Sequence, residues 1–188
     1  MKIAFFVSQV KRILELSEGN DTDVLIIYYL NEVRRQYARL SLYQEFLISN
    51  QIVMIAGQTS YALPSDLTKI VDETVRYVDS NGVTRQLVRL DNLYIRPEGM
   101  PIYWKRQGNA INLIPNTEMQ SGEILTFDYY QIPPMLSLTG DEIPEANLAD
   151  LWMEAVLSKM SRTLDVQKYK LFSQEETQAF KESRAAQD

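Results

Sequence analysis

Apolar positions Ile3, Phe6, Val7, Val10, Ile13 and Leu14 recur at helical spacing, with Lys2, Lys11, Arg12 and Glu15 between them. This pattern predicts an amphipathic first helix that ends near Ser17-Glu18-Gly19. A second and longer helix is predicted to follow, to about Ile48. Asn20-Asp21-Thr22 supplies capping side chains at its start, and Asp21 and Asp23 suit the positive end of its dipole. Ile26, Leu30, Val33, Tyr37 and Leu40 mark one face of that helix, and Asn31, Arg35 and Arg39 the opposite one. A rod of 28 residues (Asp21 to Ile48) at ~1.5 Å per residue would be roughly 42 Å long. Its opening run, Val24–Leu30, would suit a strand in isolation.

From Gln51 the spacing changes from helical to alternating. Val71–Val78 and Val83–Leu90 alternate, and Asp79-Ser80-Asn81-Gly82 between them is the strongest short hairpin signal in the chain. Leu90–Glu98 is ambiguous and could hold one helical turn. Ile102–Arg106 and Ala110–Ile114 form a second predicted hairpin, turned by Gln107-Gly108-Asn109 and bounded by Pro101 and Pro115. Within it Ile102, Trp104 and Arg106 alternate with Tyr103 and Lys105. A further strand is predicted at Glu123–Gln131, where Leu125, Phe127 and Tyr129 alternate with Thr126, Asp128 and Tyr130; Pro133-Pro134 closes the β block. Helical spacing returns at about Pro144, a residue favoured in a first turn, and continues through Leu148, Leu151, Trp152, Ala155, Val156, Met160 and Leu164. Ser173 and Glu176 form a capping box for a last helix with little to bury.

The order helix–helix, β block, helix–helix predicts an α+β fold: a helical bundle with a mainly antiparallel β subdomain inserted between the second and third long helices. The expected boundaries are 1–50 for the N-terminal helices, 51–142 for the β subdomain, 143–172 for the next bundle helix and 173–188 for a C-terminal segment.

Composition narrows the chemistry. The 188 residues are 45% hydrophobic and 23% charged, enough to bury a sizeable core. Neither cysteine nor histidine occurs, which removes disulfides, thiolate zinc sites, cysteine nucleophiles, the imidazole base and the commonest metal ligand. A net charge of −6 runs against a free-standing DNA-binding domain. The apolar run at the N-terminus is short and lacks a small-residue cleavage site, which disfavours a signal peptide. Val24–Leu30, the longest apolar run, is seven residues where ~20 are needed to span a bilayer.

Carboxylates are the only plausible catalytic groups left. Asp66, Asp72, Glu73, Asp141 and Glu142 lie in or beside loops, and a carboxylate pair can hydrolyse glycosides without histidine. Adjacent pairs such as Asp72-Glu73 point to opposite sides of a strand and would not cooperate, so solvated surface acids are the better reading. The seven glycines form no phosphate-binding motif. Asp21-Thr22-Asp23 lacks the later glycine and glutamate of a calcium loop. No catalytic, cofactor-binding or metal-ligating residue is therefore expected.

Basic residues gather at Arg34, Arg35 and Arg39 on the long helix, and at Arg85, Arg89, Arg96, Lys105 and Arg106 in the β block. Tyr103 and Trp104 beside the last pair would suit single-stranded nucleic acid. Solvated faces and partners for the 25 acidic residues are the simpler explanation, since no nucleic-acid module motif accompanies the charges. Eleven tyrosines suit protein interfaces and sheet faces alike.

The β block carries a pattern that resembles the head-to-tail adaptor (connector) proteins of tailed bacteriophages. Gly57, Tyr61, Leu63, Pro64 and Asp66 match a G-x-x-x-Y-x-L-P-x-D element. Gly99, Pro101 and Trp104 (Tyr103 lies one earlier) follow, then Ile111-Asn112-Leu113-Ile114-Pro115. Tyr129-Tyr130, Pro133-Pro134 and Ile143-Pro144 complete it, so that the likeness covers roughly residues 20–165. The resemblance implies a virion protein at the head–tail junction, assembled in the host cytoplasm. It implies a ring, usually of twelve copies, below the portal protein, with tail nozzle or other tail proteins attaching later. The helical bundle would form the ring body, the C-terminal segment would dock on the portal, and genome DNA would pass through the lumen unrecognised. No cofactor and no membrane contact is implied. On this reading Arg34, Arg35, Arg39, Tyr103, Trp104, Phe172 and Phe180 are the candidate protein-interface residues, with Arg35 and Arg39 at subunit contacts or facing the channel. Another neck or tail protein, a carboxylate-based cell-wall hydrolase and a nucleic-acid-binding accessory protein are the alternatives.

Overall fold

The computed structural model describes residues 1–16, 19–90, 99–114, 120–138, 142–164 and 178. The fold is mixed α+β, with three described helices and two mainly antiparallel sheets. The chain divides into two compact units, Met1–Glu45 with Pro133–Asp188, and Phe46–Ile132.

The first unit holds α1 (Ile3–Leu14), α2 (Asn20–Leu40) and α3 (Ala149–Leu164). α1 buries Ile3, Phe6, Val7, Val10 and Leu14 of the predicted stripe, while Ile13 is exposed and Lys11, expected on the polar side, is buried; the helix ends where Glu15 turns left-handed at φ 55°. Gly19 takes the N-cap position of α2 without a side-chain cap; Asp21 and Asp23 sit in the first turn. Val24–Leu30 is helical, and Ile26, Leu30, Val33 and Tyr37 face the core. The helix stops at Leu40, well short of Ile48, because Ser41 goes left-handed at φ 52° and its N–H returns to the Ala38 carbonyl. Its 21 residues make a rod of roughly 31 Å. Asn31 was expected on the polar face, and it is buried. α3 packs on both other helices, and Tyr37 meets Trp152 edge to face with ring centres 5.3 Å apart. α3 begins later than Pro144 suggests: Pro144 precedes a 3₁₀ turn, Ala146–Leu148, which leads into the helix. The capping box at 173–176 and the last helix lie outside the described residues.

The second unit is built on two sheets. In the first, β9 (Ile124–Gln131) is central, pairing along its length with β1 (Leu47–Val53). On its other edge β9 pairs with β3 (Leu67–Ile70) and β4 (Arg76–Val78), and β4 pairs with β5 (Thr84–Gln86). Leu47–Ile48, expected at the end of a helix, therefore open a strand. In the second sheet, β8 (Ala110–Ile114) lies between β2 (Ser60–Ala62) and β7 (Tyr103–Gln107), and β6 (Val88–Arg89) pairs with β7 in parallel. Gly108 at φ 60° makes the β7–β8 turn, a conformation that disfavours any side chain. Trp104, Ile111 and Leu113 pack with Tyr61, Tyr77, Leu125, Phe127 and Tyr129 in one core. Ile102, on the Trp104 face by alternation, is exposed.

Two predicted strands are broken. Within Val71–Val78, Asp72–Thr74 is a 3₁₀ turn, since the Thr74 hydroxyl donates to the Val71 carbonyl and accepts the Asp128 amide, both at 2.8 Å. Val83–Leu90 changes sheets at buried Leu87, whose N–H donates to the Val75 carbonyl. The predicted hairpin turn is present: Asp79 accepts the Asn81 and Val83 amides at 2.9 Å, and Gly82 has φ 77°. Residues 91–98, the ambiguous stretch, lie outside the described ones.

Two tyrosine hydroxyls of the β unit are buried beside carboxylates. Burial, then the Glu123 and Asp79 carboxylates, push the Tyr77 hydroxyl far above its usual range. Burial, then Asp66, push Tyr129 up to about 12; its hydroxyl donates to the Asp66 carboxylate at 3.2 Å. A folded pKa raised above the unfolded ~10 gives stability that is complete below pH ~10 and lost as pH rises through the folded value. Tyrosinate absorbance should show a component that ionises above the ordinary tyrosine range, and urea stability should fall between about pH 10 and about pH 12. Tyr129→Phe should flatten part of that fall; unchanged pH dependence would contradict the assignment.

Candidate functional site

Inside the helical unit, Asn31, Arg34 and Glu145 are buried polar residues. Asn31 and Arg34 are three residues apart on α2, hence on neighbouring positions of one face. Arg34 is 1% exposed, and its partner Glu145 is 6% exposed. The guanidinium donates to Glu145 twice, from Nε to Oε2 at 2.9 Å and from Nη2 to Oε1 at 2.7 Å, and Nη1 donates to the Pro134 carbonyl at 2.8 Å. Asn31 works beside it: Nδ2 donates to the Leu136 carbonyl at 2.9 Å and Oδ1 accepts the Leu136 amide at 2.8 Å. Removing two charges from water is unfavourable, and bidentate geometry with an added carbonyl acceptor is what offsets it. Pro134, Leu136 and Glu145 are thereby tied to α2. Glu142 and Ile143 are tied to the N-terminus, where the Ile143 amide donates to the Met1 carbonyl at 2.8 Å and Lys2 bridges to Glu142. Lys11 of α1 pairs with Asp23 of α2 at 2.6 Å.

Arg34 is therefore no surface residue. It cannot reach a partner or a channel, which corrects its place among the interface candidates. Arg35 is half-buried and 4.0 Å from Glu32, and Arg39 is exposed. At 100° per residue, Arg35 and Arg39 fall on the same outer strip of α2 as Val24 and Tyr28. Val24, Leu25 and Tyr28 are exposed apolar residues, 52%, 39% and 54% accessible. The strip is thus apolar in its first half and basic in its second. Its apolar half was overlooked in the sequence because Val24–Leu30 reads as a continuous run; placing each residue against the Ile26/Leu30/Val33/Tyr37 face separates it.

In the β unit, Trp104 is also a correction. It is 1% exposed and fills the core, so it offers no ring for a base or a partner to stack on. Tyr103 beside it is half-buried, and Lys105 and Arg106 are exposed. The acidic candidates are engaged singly: Asp66 with Tyr129, and Asp72 with Arg89 at 3.2 Å. Asp79 and Glu123, buried carboxylates that the sequence did not single out, accept backbone amides. Glu123 takes those of Ser80 and Gln120, and Asp79 takes those of Asn81 and Val83. Among the described residues no three Asp or Glu side chains gather to hold a metal ion, and no helix is long and apolar enough to cross a membrane. Phe172, Phe180 and Asp141 lie outside the described residues.

The sequence as a whole decides what kind of protein this is. It matches the SU10 adaptor protein family over residues 1–188. The chain belongs to the SU10 adaptor protein family. No curated protein matches it. The adaptor is a structural protein of the phage virion, in a family that is not one of enzymes, and it works through contact with other head and tail proteins.

Within the helical unit the Arg34–Glu145 pair joins α2 to the segment that precedes α3. Glu145→Gln should destabilise the adaptor by about 3–5 kcal/mol in urea unfolding, because a buried guanidinium loses its counter-charge. The double replacement Arg34→Met with Glu145→Leu should recover most of that loss. A Glu145→Gln effect below ~1 kcal/mol would show that the pair is unimportant.

Proposed function

We propose that this adaptor is the subunit of a ring that joins the portal protein of the phage head to the tail, with the genome passing through the lumen. The family match along the whole chain is the observation that carries this reading. The second and third helices would belong to one bundle that forms the ring body. The β unit, 46–132, would be inserted between them and face the tail proteins, nozzle included. The outer strip of α2 supports self-association: Val24 and Tyr28 give apolar area and Arg35 and Arg39 give charge, on a chain with a net charge of −6. That same negative charge suits a lumen that passes DNA without holding it. Residues 173–188, Phe180 among them, would form the segment that docks on the portal, with Phe172 at its start. A twelve-fold ring is the copy number we assign.

Purified adaptor mixed with the portal protein of the same phage should give rings on the portal in negative-stain images. Particles lacking added density would overturn the reading, whereas a monomeric adaptor on its own would agree with assembly on the portal. Truncation after residue 172 should abolish docking; rings that still form would remove the docking role from the C-terminal segment.

A further inference from the structure

β1 pairs with β9 at seven consecutive positions without a register shift, and among the described residues no strand lies along its other edge. The bonds of its neighbours show which backbone groups face that edge. Asp128, opposite Ser49, turns both of its own groups away from β1: its carbonyl accepts the Val71 amide at 2.9 Å, and its N–H donates to the Thr74 hydroxyl at 2.8 Å. Just beyond β1, the Met54 N–H donates to the Glu123 carbonyl at 2.8 Å. Antiparallel bonds fall on alternate residues, so Ser49, Gln51 and Val53 direct their N–H and C=O groups outward. Among the described residues nothing bonds those groups.

Natural sheets keep their edges from pairing by shortness, charge, proline or a bulge. The other strands that pair on one side only follow that rule among the described residues. β2 has three residues, β5 has three with Arg85, β6 has two with Arg89, and β3 carries Lys69 and a register shift. β1 reads Leu-Ile-Ser-Asn-Gln-Ile-Val and has none of these devices. Its sequence is also close to a palindrome about Asn50, with Ile48 matching Ile52, Leu47 matching Val53 and Ser49 matching Gln51. Two such strands laid antiparallel and centred on Asn50 therefore set aliphatic against aliphatic and polar against polar at every position. Ser49 and Gln51 fall opposite each other with their outward groups in place to exchange bonds. Val53, 65% accessible, is covered by Leu47, and the Ile48 and Ile52 row that flanks the core continues across the join. The strand carries no charge, so no like charges meet.

We propose that the free adaptor pairs with a second copy of itself through β1, antiparallel and centred on Asn50, so that two five-stranded sheets become one. The palindrome is what selects a second copy: a foreign strand would need no such symmetry in β1. The contact is isologous and closes at two copies, so it builds no ring and belongs to adaptor that is not yet on the portal. The proposal therefore stands apart from the portal reading, and either can fail without the other.

The chain has no cysteine, so a single introduced one reports the pairing directly. In the centred register Asn50 faces Asn50 as a non-hydrogen-bonded pair, with Cα atoms about 4.5 Å apart and within reach of a disulfide. The two Val53 residues lie roughly 20 Å apart. Full-length Asn50→Cys should therefore form a disulfide-linked dimer under mild oxidation, and Val53→Cys, at the more exposed position, should not. Cross-linking of both to the same extent, or of neither, overturns the proposal. Sedimentation equilibrium of the cysteine-free adaptor should show a concentration-dependent dimer. Gln51→Pro removes an N–H that bonds nothing in the monomer, and should weaken the dimer at least tenfold. Ser49→Lys with Gln51→Lys should weaken it as well, whereas Ser49→Lys with Gln51→Glu sets Lys against Glu across the join and should restore it. A dimer indifferent to the proline and to the charge pattern overturns the proposal. A monomer at every concentration also overturns it, and leaves the edge to a strand of another protein.

Discussion

A guanidinium buried in a helix interface is tolerated only where opposite charge and acceptors surround it, and Arg34 meets that condition through a residue 111 positions away. Glu145 provides both carboxylate oxygens and Pro134 a carbonyl, while Asn31 holds the Leu136 backbone in both directions. Every one of those groups belongs to the stretch that leads from the β unit's last strand to α3. The helical unit closes because that stretch is fixed to α2, and the position of Glu145 sets where α3 begins. An apolar pair in its place could pack as tightly. It would lack the direction of a bidentate fork, which admits one register of the segment against the helix.

The elements with a full period and a strong turn were readable from sequence. α1 has an unbroken apolar stripe, β9 alternates Leu125, Phe127 and Tyr129 with polar residues, and the β7–β8 hairpin has Gly108 where a positive φ is needed. The failures have physical causes. α2 ends at Ser41 in a left-handed conformation usually signalled by glycine or asparagine, and Leu42–Phe46 carries neither, so nothing local announces the stop. Val71–Val78 alternates like a strand, yet Thr74 prefers its own turn and the Asp128 amide. Asn31 and Arg34 looked solvent-facing because their partners lie 105 and 111 positions away. Trp104 looked like an interface aromatic because its neighbours Tyr103, Lys105 and Arg106 are polar; alternation alone placed it toward the core.

The interfaces follow the same division. Residues whose chemistry suggested contact with partners, Arg34 and Trp104, are those that hold the monomer together. The surface we propose for contact is plainer: the exposed strip of α2 with Val24, Tyr28, Arg35 and Arg39. This suits a structural adaptor, which transmits position and force rather than chemistry. Its function rests on surfaces that stay where the core puts them.

The direct test of this account is hydrogen exchange at the Leu136 and Ile143 amides, which donate to Asn31 and to Met1. Both should be protected in the native protein, and Glu145→Gln should raise their exchange at least tenfold relative to the Phe127 amide of β9, through local opening of the segment. Equal protection of Leu136 and Ile143 in the two proteins would contradict the claim that the Arg34–Glu145 pair holds the segment to α2.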